Sequence, residues 1–381
     1  MLKKILIIIS LALSMSSVQA QTKLTADPNA TRQTKNLYRN LLKALPEGIM
    51  FGHQDDLAYG MGWIGVPGKS TIKDAVGEYP GVYGWELGNI ELGDLHNLDS
   101  VSFEKMKDYI REGYARGGVV TISWHANHPV TGGNAWDTTH GAVDAIIPGG
   151  SKHEIFKLWL DRVANFMLDL KTAKGEPIPV IFRPYHEFTG NWFWWCQNTC
   201  TPDEFKELWR FTYTYFTENR GVHNLLYAYN PEKYETREQY LERYPGDEFV
   251  DILSLDMYQY GDPANSNAFE TSLHHRLRIL TEIANEKNKI PALAETGFLN
   301  TPYAQWFTQK LMKGIGDFPL SYVLLWRDGG YVNGPEKGSF IPSQDHFIPV
   351  GSDPAFWDFQ RLYRSGRFLF QKKTARLKLY E

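Results

Sequence analysis

Eight short apolar runs, separated by helix-like segments, constrain this sequence more than any other feature. They are Gly48–Gly52, Val82–Trp85, Val119–Trp124, Pro179–Phe182, Leu225–Tyr229, Ile252–Asp256, Pro291–Glu295 and Tyr322–Trp326. Most are bounded by Gly, Pro or Asn and are apolar almost throughout, as strands covered on both faces are. The segments between them carry helix punctuation. Ser151 followed by Glu154 reads as a capping box ahead of an apolar stripe at Ile155, Leu158, Trp159 and Phe166. Thr201, Pro202 and Glu204 form a second, leading into Phe205, Leu208, Trp209 and Phe216 and ending at Gly221. A helix over Phe103–Ala115 is predicted to stop at Gly117-Gly118. Eight buried strands alternating with helices predict an α/β protein, a single (β/α)8 TIM barrel. The alternative, an open doubly wound sheet, lacks the Gly-rich nucleotide loop after its first strand. The segment Arg364–Glu381 is basic with scattered apolar residues, and reads as a final helix closing the barrel base.

The N-terminus reads as a separate element. Lys3 and Lys4 precede the apolar run Ile5–Leu13 and a polar stretch ending in Val18-Gln19-Ala20. These are the charged, apolar and cleavage regions of a secretory signal peptide, so residues 1–20 are expected to direct export and 21–381 to form one mature domain. The run is too short for a good membrane anchor, which needs about 20 apolar residues. We therefore expect a periplasmic or secreted protein, without a membrane anchor once matured, and a monomer. A net charge of −4 without a basic patch argues against nucleic acid. The only cysteines, Cys196 and Cys200, are candidates for one small-loop disulfide in an oxidising compartment, worth about 2 kcal/mol in the chain-entropy model. The alternative is two packed free thiols. A zinc site is not expected, because no second cysteine pair completes four ligands.

In a barrel the chemistry sits at the C-terminal ends of the strands. Those ends carry His53, Glu86, His125, Arg183 with His186 and Glu187, Asn230, Asp256 with Tyr258, Glu295, and Trp326 with Arg327 and Asp328. Closure would bring them all to one rim. Two glutamates stand out, Glu187 after the fourth run and Glu295 in the seventh. A carboxyl pair across a cleft is the machinery of glycoside hydrolysis, one acid protonated and one ionised. Trp192, Trp194 and Trp195 follow Glu187 closely, and flat aromatic rings pack on the C–H faces of sugars. Consecutive residues cannot all face one cleft, so at least one of these packs beneath the loop. The composition agrees with a sugar cleft: 12 Trp, 21 Tyr and 21 Phe make 14% of the chain.

The stretch Arg183-Pro184-Tyr185-His186-Glu187-Phe188-Thr189-Gly190-Asn191-Trp192-Phe193-Trp194-Trp195 resembles the acid/base motif of glycoside hydrolase family 26. The resemblance continues at Ser123-Trp124-His125, Leu255-Asp256-Met257-Tyr258, Ala294-Glu295-Thr296-Gly297 and Leu325-Trp326-Arg327-Asp328, and so spans His53 to Asp328. It implies a barrel with retaining chemistry and, for most members, β-1,4-mannanase activity without a cofactor or metal. It further implies Glu187 as acid/base and Glu295 as nucleophile. His125, His186, Trp192, Asp256, Tyr258, Trp326 and Arg327 would contact substrate, with Tyr258 steadying the nucleophile. The implied substrate is mannan, glucomannan or galactomannan, cut to manno-oligosaccharides such as mannobiose. The family also holds β-glucanases and xylanases. A metal-dependent barrel hydrolase, with His53, His125, His186 and Glu187 as ligands, is the rival from a different class, and a glycan-binding protein without activity is a third.

Overall fold

All eight runs are strands in the computed structural model, which describes residues 24–333 and 340–381. They are β1 (Ile49–Gln54), β2 (Val82–Glu86), β3 (Val119–Trp124), β4 (Val180–Pro184), β5 (Leu225–Tyr229), β6 (Ile252–Tyr258), β7 (Ile290–Gly297) and β8 (Tyr322–Leu325). Each pairs in parallel with its neighbour in chain order, and β8 returns to β1, with Met50 opposite Tyr322 and His53 opposite Leu325. The sheet is thus a closed (β/α)8 barrel. The expected signal peptide lies outside the described residues.

Strand residues alternate between two cores. Met50, Val82, Val119, Ile181, Leu226, Ile252, Ala292 and Leu324 pack together inside the barrel. Phe51, Trp85, Ile122, Phe182, Leu253 and Val323 belong to the larger cluster beneath the helices. Both faces are dry, which is why the strands read as unbroken apolar runs. The helix Arg32–Ala44 sends Leu37, Tyr38 and Leu41 into the inner core at its N-terminal end, joined by Leu379. The C-terminal segment closes that end as a short strand, Phe368–Leu369, beside β1 and a helix, Gln371–Arg376.

The helices over Phe103–Ala115 and Pro202–Thr214 form where predicted. The second has its full capping box: Thr201 Oγ1 accepts from Glu204 N and Glu204 Oε2 from Thr201 N, worth about 1 kcal/mol. The capping box at Ser151 does not form. That helix starts at His153 after Lys152, with no side-chain cap, and Lys152 N donates instead to Ala145 O at 2.7 Å. Its buried stripe is Phe156, Trp159, Leu160, Val163 and Met167, while Ile155 and Leu158 face solvent. The helix is apolar around much of its girth, so periodicity did not single out the inward face.

One irregularity positions chemistry. Strand β7 carries one residue more than either neighbour between equivalent pairs. Leu255 and Asp256 of β6 lie opposite Leu293 and Glu295, skipping Ala294, and Val323 and Leu325 of β8 lie opposite Leu293 and Thr296. Ala292 and Ala294 point inward, so regular alternation would turn Glu295 outward to the helices. The bulge turns it into the barrel mouth, as bulges near active sites do.

Candidate active site

Strand β4 ends in a turn that its own residues strain. Tyr185 and Glu187 both adopt left-handed backbone, with φ of 51° and 54° on either side of His186, a conformation that non-Gly residues hold only when their surroundings impose it. Here Glu187 N donates to Asn230 O at 2.7 Å and Tyr185 Oη lies 2.9 Å from Thr212 Oγ1. Beneath the turn, Trp194 and Trp195 are fully buried and donate through Nε1 to Ala126 O and His186 O. Trp192, the third of the cluster, is half-buried and donates to Glu187 Oε2 at 2.7 Å.

A cleft of about 490 Å³ opens above these strand ends, lined by His125, Trp136, His186, Glu187, Trp192, Phe193, Glu232, Tyr258, Gln259, Tyr260, Gly261, Glu295, Phe298, Leu299, Trp326 and Phe347. It brings together seven of the nine expected site residues. Asp256 and Arg327 are not among its lining. The Asp256 carboxylate is wholly buried and faces Arg183 at 3.4 Å, so it lies beneath the site rather than against a ligand. Arg327 turns towards Asp99, with Nε 2.7 Å from Oδ1.

The two glutamates share the cleft in opposite environments. Glu187 receives one neutral donor, Trp192. Burial, then the charges of Glu295 and Glu232, push its pKa up to about 8. Glu295 receives Arg183 Nη2 on Oε1 at 2.5 Å and Tyr258 Oη on Oε2 at 2.8 Å. A buried guanidinium and a phenol therefore both donate to the Glu295 carboxylate, one to each oxygen.

The histidines are also set apart. Glu86 is fully buried and accepts from Gly88 N, Ser123 Oγ, His125 N and His125 Nδ1, the last at 2.8 Å. Burial opposes a charge on His125, but Glu86 outweighs it and raises the imidazole above its usual value. Burial, His125 and Arg183 all push His186 well below its usual value, so it is neutral. The rings meet edge to face at 4.5 Å, and Trp136 stacks on His125 at 5.2 Å.

The metal set expected by the rival reading does not assemble. His53 lies on the outward parity of β1, with Nδ1 2.9 Å from Asp56 Oδ1 and Nε2 3.8 Å from Asp328 Oδ1. Among the described residues, His186, Asp256 and Glu295 bring ligand atoms within 4.8 Å of one another. Arg183 already reaches both of those carboxylates, so a fixed cation stands where a metal would have to enter. Of the two alternatives for the cysteines, the structure has the packed free thiols. Cys196 and Cys200 are buried free thiols, with Cys196 Sγ directed at Glu187 O and Cys200 Sγ at Trp195 O. Burial pushes them up to about 12 and about 11, which leaves them unreactive.

Arg183, Glu86, Glu232, Trp136 and Tyr260 were not assigned to the site from sequence. Arg183 stood in the quoted motif and Glu86 at a strand end, so both had a signal. The other three are placed by loops and had none.

Comparison with known proteins gives this geometry its relatives. The model of glycosyl hydrolase family 26 matches residues 26–331. A mannan endo-1,4-beta-mannosidase of Bifidobacterium adolescentis is 33% identical over 279 residues, covering 71% of this chain but only 28% of the relative's length. One from Bacillus subtilis is 28% identical over 293 residues, covering 72% of this chain and 78% of its own. Among solved structures, a GH26 beta-mannanase from Bacteroides ovatus superposes with a TM-score of 0.85 at 42% identity, covering 92% of this chain and 98% of that one. With the family match running through every barrel strand from β1 to β8, the chain belongs to glycosyl hydrolase family 26.

Proposed function

We propose that this glycoside hydrolase is a retaining mannan endo-1,4-β-mannosidase. The observation that carries the chemistry is the pair of unlike carboxyls: Glu187 held as an acid by burial and neighbouring charge, Glu295 gripped by two donors, Arg183 and Tyr258. Glu295 attacks the anomeric carbon while Glu187 gives its proton to the departing oxygen, leaving a covalent glycosyl-enzyme. Glu187, now ionised, takes a proton from water, which displaces Glu295 and restores the starting configuration. Retention requires carboxyls about 5–5.5 Å apart.

The neighbouring groups have roles in that sequence. Tyr258 steadies Glu295 before attack and as it leaves. Arg183 offsets the charge of Glu295 as it attacks and leaves. Neutral His186 and the His125–Glu86 pair offer hydrogen bonds to hydroxyls around the cleaved bond. Trp326 floors the attacked sugar and Trp192 borders the departing one. The choice of mannan rests on the activity of the relatives. We further propose that residues 1–20 direct export, that residues 21–381 form one catalytic domain, and that the enzyme meets its polysaccharide outside the cytoplasm as a monomer.

The test is release of reducing ends from linear mannan, glucomannan, xylan and mixed-linkage β-glucan, with Glu187→Ala and Glu295→Ala beside the wild type. Activity on the mannans that survives a strong chelator and is lost in both variants supports the proposal. Activity only on glucan or xylan overturns the substrate and keeps the mechanism. Activity retained by either variant overturns the assignment of roles.

A further inference from the structure

A third carboxylate in the cleft is left unused by this mechanism. Glu232 follows β5, lines the cleft and is buried. Its Oε2 is buried without a hydrogen-bond partner, and the nearest cation, Lys233 Nζ, stands 3.6 Å away, too far for a good hydrogen bond. A carboxylate oxygen removed from water and given no donor is costly, so its retention calls for a donor that arrives with the ligand.

The backbone fixes Glu232 relative to Glu187. Glu232 N and Lys233 N both donate to Thr189 Oγ1, at 3.0 and 2.8 Å, and Glu187 N donates to Asn230 O. Arg276 Nη1 holds Glu232 O at 3.2 Å. Lys233 Nζ sits 4.9 Å from the ring centroid of Trp192, whose Nε1 bonds Glu187. The acid/base loop and the Glu232 loop therefore form one rigid wall.

The direction of proton transfer says which sugar this wall meets. Glu187 protonates the oxygen joining the attacked sugar to the departing one. Glu295 and Tyr258 surround the attacked sugar, so the flank made by Trp192, Glu232 and the largely exposed Tyr260 faces the departing one. We propose that Glu232 is the hydroxyl acceptor for the departing sugar, its carboxylate taking an O–H hydrogen bond from the ring beside Glu187. The site would thereby distinguish a sugar leaving group from one without hydroxyls. This inference rests on the mannanase reading.

The experiment compares kcat/KM on mannotetraose with kcat/KM on a dinitrophenyl β-mannobioside, whose leaving group presents no sugar to Glu232. Glu232→Ala removes the acceptor, and Glu232→Gln keeps a carbonyl oxygen while removing the charge. Thermal melts establish that both variants fold. The ratio of the two kcat/KM values is expected to fall about 10- to 100-fold in Glu232→Ala, the range of a hydrogen bond to a charged group. Glu232→Gln, which still accepts but without the charge, should recover part of that ratio. A ratio unchanged in Glu232→Ala overturns the proposal, whether both substrates slow together or neither does. So does a ratio that falls equally in the two variants, which would point to charge alone. A wild type inactive on both substrates overturns the mannanase reading, and this inference with it.

Discussion

Replacing Glu187 by glutamine should abolish catalysis and stabilise the fold, and the stabilisation should depend on pH in a definite way. The buried Glu187 carboxyl is pushed up to about 8, whereas an unfolded chain releases that proton near about 4.3. Below that value both states hold the proton, and the wild type loses nothing. Above it the unfolded chain gives up its proton while the folded one keeps it, so folding stability falls steadily until the folded pKa is passed. At pH 7 the accumulated loss is about 3–4 kcal/mol, from about 1.36 kcal/mol per pH unit. The glutamine side chain has no proton to lose and keeps an oxygen for Trp192 Nε1, so the variant escapes that loss. For a chain of this length the difference corresponds to about 4–5 °C in Tm. The assay is parallel thermal scans of the two proteins at one rate from pH 4 to pH 8. The curves should coincide near pH 4 and separate as pH rises, with the variant higher. A gap that does not change with pH would refute the reasoning, because it would mean that Glu187 does not hold its proton in the folded state.

Three further outcomes follow from the same contacts. Tyr258→Phe removes one of the two donors on Glu295 and should lower kcat on mannan about 10²–10³-fold, the scale of losing one preorganised donor; steady-state kinetics checks it. Glu86→Gln removes the charge that raises His125, so the His125 titration followed by NMR should move to lower pH, and a midpoint that stays or rises would refute the coupling. Cys196 and Cys200, as free buried thiols, should resist alkylation in the native protein and take up two labels after denaturation without reductant; mass spectrometry distinguishes this from a disulfide, which would take up none.

How far the sequence could be read depended on whether a feature was written in neighbouring residues. The barrel was legible because strands buried on both faces must be apolar at every position, and that makes runs such as Val119–Trp124 visible without knowledge of their partners. Glu187 was legible because β4 and its turn carry a long local signature, from Arg183 to Trp195, and Glu295 because it sits in a shorter one, Ala294–Gly297. The bulge at Ala294 was not, since alanine and glutamate in Pro291–Glu295 look the same whether or not a residue is skipped against β6 and β8. Yet that skip decides whether Glu295 faces Arg183 or the helices. Asp256 and Arg327 were expected to touch ligand because they stand at strand ends, but the direction each side chain takes depends on distant partners, here Arg183 and Asp99. Glu232 had the least signal. Its position is set by a threonine 43 residues earlier in the chain, and its importance by a missing hydrogen bond, which no pattern of residues encodes. A site of this kind is therefore written twice: its reacting groups lie in local motifs, and the groups that fit it to a particular ligand lie in pairings between loops.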